Sequence, residues 1–239
     1  MSSNKIKAIA CLSMLIDHIG YILFPKLLIF RYIGRLAMPI FAYFIADGCR
    51  YTSSRVKYFL RVFLLAVLCQ TVYVANSVFM GDLNEIYLNI LFTFSLSIPL
   101  CFTYLNIKDA VKTKNTSKEV INIGIFVLIL LISLLVSYFL SNIIRFNVIL
   151  DYGFAGVILP LFAIFFEDKN KRLVCYIFGL ILFNFLLCNN SPYIWFSLLS
   201  IPILYIHNGQ RGAKKCKYLF YVFYPLHLAV IYLIKVILF

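Results

Sequence analysis

Three stretches of this chain put titratable side chains inside long apolar runs, and they bound the chemistry the protein can do. The first is Asp17-His18, the second is Arg31-Tyr-Ile-Gly-Arg35 with Pro39 four residues on, and the third is Tyr224-Pro225-Leu-His227. A titratable side chain in the middle of a membrane helix costs about 2.5–3.5 kcal/mol on insertion scales, so it normally faces a bundle interior or a water-filled cavity and marks a working position. Histidine titrates near neutrality, which suits it to moving a proton. Adjacent helical residues point about 100° apart, so Asp17 cannot orient the His18 ring unaided and is expected to meet a cation from another helix. Arg31 and Arg35 are four apart and share one helix face. Arg35 is the expected partner of Asp17, while Arg31 is expected to snorkel at the interface. Pro39 should kink its helix and open the carbonyl of Arg35, and Pro225 does the same for Tyr221. Two histidines from opposite ends of the chain, His18 and His227, can thereby converge. The bland alternative is that each imidazole only bonds a neighbouring helix, a contact worth less than about 1 kcal/mol on average.

The elements that must carry these residues follow from composition. Of 239 residues, 63% are hydrophobic and 13% charged, against about half and a quarter in soluble domains. A water-soluble fold of this size would expose apolar patches that monomers do not tolerate. Lipid removes the objection, and backbone polar groups in hydrocarbon then require helices or a closed barrel. The run 121–140 shows no strand-like alternation, so helices are chosen over barrel strands. Windows of about 20 apolar residues fall near 5–24, 31–48, 56–78, 86–105, 120–140, 152–167, 172–188, 192–206 and 218–238. The expected fold is all-α, a single membrane domain over 1–239 of about nine transmembrane spans.

The net charge of +13 is not a nucleic-acid footprint, because its placement follows topology. Seventeen of the 22 Lys and Arg residues fall in loops on one side of a nine-span arrangement, and such loops face the cytoplasm. The N-terminus is accordingly expected in the cytoplasm. Seven cysteines are scattered without the paired spacing of zinc or redox sites, and no metal is expected.

Several of these stretches resemble the TraX family, named for the F-pilin acetylase. The likeness runs through Lys7-Ala-Ile-Ala-Cys-Leu-Ser-Met-Leu-Ile-Asp17-His18-Ile-Gly20, Arg31-Tyr-Ile-Gly34-Arg35-Leu-Ala-Met-Pro39-Ile-Phe41, Asn89-Ile-Leu-Phe-Thr93 and Asp151-Tyr152-Gly153-Phe-Ala-Gly156. It ends in Asn208-Gly209-Gln-Arg211-Gly212 and Phe220-Tyr221-Val-Phe-Tyr224-Pro225-Leu-His227. Asp47-Gly48 stands where the family pattern has Glu-Gly.

The resemblance implies a multi-pass enzyme of the bacterial plasma membrane that transfers an acetyl group from cytoplasmic acetyl-CoA to an amine or hydroxyl. The acceptor, a protein N-terminus, a glycan or a lipid-linked molecule, is not specified. Acyl transfer needs a base, a donor to the developing oxyanion and a seat for the charged substrate. His18 is the expected base, and Arg35 polarises the thioester carbonyl or fixes the pantetheine. Asp17 holds Arg35 or a ring nitrogen. Tyr224 and His227 complete the pocket, His227 as a second acid or base. Arg50, Arg55 and Arg211 are expected to meet the CoA phosphates. The competing class is a proton-coupled transporter or flippase for a small anionic or lipid-linked solute, since intramembrane Asp, His and Arg also build such pathways. Paired interrupted helices in two matching halves would favour it, and Pro39 and Pro225 show no such repeat.

Overall fold

The computed structural model describes residues 1–80, 85–138, 147–188, 192–210 and 216–238. They form an almost wholly helical chain with one pair of short strands. The helices are α1 (Ser3–Ile22), α2 (Leu28–Gly34), α3 (Ala37–Tyr51), α4 (Arg55–Met80), α5 (Ile90–Lys112) and α6 (Thr116–Tyr138). They continue with α7 (Gly153–Ile164), α8 (Lys169–Leu187), a 3-10 segment (Pro192–Leu199), α9 (Ser200–Tyr205) and α10 (Cys216–Leu238). Strands β1 (Glu85–Leu88) and β2 (Asn147–Leu150) pair in parallel, Glu85 opposite Asn147.

Among the described residues, five stretches are long and apolar enough to cross a membrane: Leu28–Tyr51, Arg55–Phe79, Ile90–Lys112, Thr116–Tyr138 and Lys169–Leu187. Helix α6 argues most directly for lipid as its surroundings. It is the most apolar of the five, yet only 6% of its apolar window is buried, with Ile121, Leu128 and Leu131 open on its surface. Water would penalise that surface and hydrocarbon does not. Helix α7, at 12 residues, is roughly 18 Å long and falls short of a hydrocarbon core of about 30 Å.

The chain forms two compact units. The first comprises Met1–Tyr43 and Asp168–Phe239. Its centre is the antiparallel hairpin of α1 and α2, which approach closely because a glycine on each helix makes room for a larger side chain of the other, Gly20 for Phe30 and Gly34 for Asp17. A Cβ on Gly20 would lie 2.2 Å from Phe30 Cβ, and one on Gly34 2.1 Å from Asp17 Oδ1. Between them Ser13 Oγ donates to the carbonyls of Ile33 at 2.6 Å and Gly34 at 3.3 Å, at the end of α2. The second expected span does not kink at Pro39. It breaks at Arg35–Leu36 into α2 and α3, which puts Pro39 in the first turn of α3, where its missing N–H costs nothing. The Pro39 carbonyl accepts from the buried Tyr176 hydroxyl of α8 at 2.5 Å.

The second unit is Phe44–Glu167. Residues 86–88, expected at the start of a helical span, instead lie in β1, and α5 begins at Ile90. The strand is favoured because its backbone groups find partners in β2 and in the Gln70 side chain. Gln70 of α4 donates to the Tyr87 carbonyl at 2.8 Å and accepts from Asn89 N at 3.2 Å. Asn89 caps α5 by accepting from Leu91 N at 3.1 Å, while its amide donates to the Ala66 carbonyl at 2.9 Å. Thr93 Oγ1 then donates to the Asp151 carbonyl at 2.6 Å, and the Tyr87 hydroxyl donates to Asp151 Oδ1 at 3.0 Å. The Asn89-to-Thr93 and Asp151-to-Gly153 motifs are therefore two halves of one knot.

Candidate functional site

Helices α1, α2 and α10 of the first unit bring the expected residues together. Because Asp17 and His18 are consecutive on α1, they serve different neighbours. Asp17 Oδ2 accepts from Arg31 Nη1 of α2 at 2.7 Å, with side chains 15% and 19% exposed respectively. His18 turns to α10, where its Nδ1 lies 2.7 Å from His227 Nε2. The two imidazoles lie edge to edge, with centroids 5.0 Å apart and planes 18° from parallel. Tyr224, one turn before His227, flanks both rings at 6.2 and 5.5 Å. Tyr224 and His227 are buried, and His18 is partly exposed. His227 Nδ1 lies 2.7 Å from the carbonyl of Phe223 on its own helix, and the Phe223 ring stacks on it at 4.9 Å.

Arg31, expected only to snorkel, carries the Asp17 ion pair, and its guanidinium also lies over the Tyr21 ring at 5.1 Å. The reason is the break at Arg35–Leu36, which ends α2 one turn after Arg31 and lets Gly34 pack against the Asp17 side chain. Arg35 is buried at 6% exposure, over the Tyr193 ring at 4.9 Å. A second arginine, Arg172, counted as a loop cation from sequence, is 7% exposed and sits 3.9 Å over Tyr43.

The expected CoA-binding arginines have other occupations or lie outside view. In the second unit, Arg50 Nη2 donates to the carbonyls of Ile164 at 2.9 Å and Phe166 at 2.7 Å, closing the C-terminus of α7. Arg55 hydrogen-bonds Asn106 and lies 5.3 Å over Phe102. Arg211 lies outside the described residues. Sequence reasoning passed over His207, which is buried and bonds Ser3 Oγ through Nε2 at 2.9 Å. Ser3 N donates to the Gln210 carbonyl at 3.0 Å, so residues 206–210 clasp the start of α1. Proximity to the Asn208–Arg211 motif was the available signal.

A family model described as TraX protein matches residues 2–235. Among curated proteins, the probable fimbrial assembly protein FimC, serogroup H1, of Dichelobacter nodosus is 23% identical over 96% of this chain and 94% of its own length. An uncharacterized protein of Rickettsia prowazekii (strain Madrid E) is 51% identical over 41 residues, 17% of this chain and 16% of that protein. No solved structure matches.

Proposed function

The chain belongs to the TraX family, and from that membership we propose that it is an acetyltransferase of the bacterial plasma membrane, using cytoplasmic acetyl-CoA and an envelope or secreted acceptor. In this reading the chain crosses the membrane nine times with its N-terminus in the cytoplasm. The observation that carries the proposal is the 2.7 Å contact between His18 and His227 on two apolar helices, with Tyr224 beside both. Two imidazoles in hydrocarbon are costly as structural glue and well suited to moving a proton.

His18 takes the proton from the acceptor amine or hydroxyl as its nitrogen or oxygen attacks the thioester carbonyl. The new C–N or C–O bond forms, the C–S bond breaks, and the CoA thiolate leaves and is reprotonated. Arg35 supplies positive charge to the developing oxyanion, and Asp17 acts by holding Arg31 and the α1–α2 hairpin in register. Tyr224 completes the polar pocket. By their charge and their place in basic stretches of the sequence, Arg50, Arg55 and Arg211 are the candidates to meet the CoA phosphates. The fimbrial assembly relative supports an acceptor belonging to the cell envelope.

The test is consumption of acetyl-CoA by the purified protein in detergent, read as release of the free thiol. Thiol release that rises with added peptide amine or envelope extract, and that His18→Ala lowers about a hundredfold or more, is the expected result. A protein that neither binds nor cleaves acetyl-CoA removes the proposal in favour of transport.

A further inference from the structure

The hydrogen bonds around the imidazole pair have a fixed direction, because a carbonyl oxygen can only accept. His227 Nδ1, 2.7 Å from the Phe223 carbonyl, must therefore carry the hydrogen. In a neutral ring the other nitrogen, Nε2, is then a bare acceptor. His18 Nδ1 faces that acceptor at 2.7 Å, so it must be the donor, and the neutral His18 ring is left with its lone pair on Nε2.

From this chain we infer that His227 is a positioning residue, which the Phe223 carbonyl orients and which in turn holds His18 in the Nδ1–H tautomer with Nε2 as the reactive atom. The assignment rests on the acetyl-transfer reading for what Nε2 attacks, but not for the tautomer itself. It changes the role of His227 from a second acid or base to the group that aims the first. Which nitrogen of a histidine reacts is generally set by the bond the other nitrogen makes. Here that bond comes from a ring nearly coplanar with the first and buried beside Phe223.

The proton balance follows. The acceptor's N–H or O–H bond breaks and an Nε2–H bond forms on His18. The Nδ1–H bond to His227 Nε2 is kept throughout and steadies the resulting imidazolium. Passing the Nε2 proton to the departing thiolate restores the neutral His18 ring.

The experiment has two readouts. The first is the ¹⁵N spectrum of histidine-labelled protein in detergent at a pH where the rings are neutral, with the third histidine assigned by His207→Gln. Both His18 and His227 should show a protonated Nδ1 and a bare Nε2, and His227→Leu should release His18 to the Nε2–H form that free histidine prefers. The second is steady-state kinetics. His227→Leu should lower kcat about a hundredfold or more with the KM for acetyl-CoA unchanged. In His227→Gln the side-chain oxygen can accept from His18 Nδ1, so it should recover most of that loss. A wild-type spectrum with hydrogen on His18 Nε2, or equal kcat losses in the Leu and Gln variants with no change of tautomer, would overturn the inference. If the spectrum is as expected but the wild type never consumes acetyl-CoA, the tautomer assignment stands and the acetyl-transfer reading falls.

Discussion

At the scale of single residues, the site depends on keeping costly groups paired in a place with little water. The Arg31–Asp17 bond at 2.7 Å leaves neither charge alone, so removing one partner should cost more than removing both. Arg31→Ala should lower stability by about 1–3 kcal/mol, below the full figure for a buried pair because both side chains retain some exposure. Asp17→Asn on that background should recover much of the loss. Thermal unfolding of the four proteins in detergent checks this, and additive losses would contradict it. Gly34→Ala should cost about 1–3 kcal/mol in the same assay, because its Cβ would meet Asp17 Oδ1 at 2.1 Å and overpack the hairpin. The residues themselves were legible in the sequence, since Asp17, His18, Arg35 and His227 are conspicuous by their cost. So was the meeting of His18 with His227, but the partner of Asp17 was not. Whether Arg31 or Arg35 reaches Asp17 turns on where α2 ends, and four-residue spacing alone puts both on one face.

At the scale of elements, helices in lipid leave a wide choice of packing, and small residues or side-chain caps decide it. The α1–α2 hairpin closes on Ser13, Gly20 and Gly34, and the second unit closes on the knot of Gln70, Tyr87, Asn89, Thr93 and Asp151. Asn89→Ala should destabilise the protein by about 1–3 kcal/mol, losing the cap of α5 and the bonds of the buried amide to the Ala66 carbonyl and to Gln70. Five long helical runs among the described residues were readable from hydropathy because their lengths match the bilayer. The β1–β2 pair was not, because its partners are about sixty residues apart in sequence and each run of apolar residues reads equally well as the end of a helix. The motifs that directly follow those strands carried the family resemblance, and their Asn89, Thr93 and Asp151 hold the backbone together.

At the scale of the whole molecule, the distribution of basic residues predicts which loops face the cytoplasm. On a background with its cysteines replaced by alanine, Thr113→Cys between α5 and α6 should react with an impermeant thiol reagent only after the inner membrane is opened, and Lys26→Cys should react in intact spheroplasts. The reverse pattern would invert the orientation and put the imidazole pair in the other half of the bilayer. The account stands most directly on transfer of isotope. Membranes carrying the wild-type chain or His18→Ala at equal expression are given acetyl-CoA labelled in its acetyl group, and label fixed in envelope material is counted. The account predicts covalent label with the wild type and loss of at least about 99% of it with His18→Ala. Equal labelling by the two, or none by either, would contradict it.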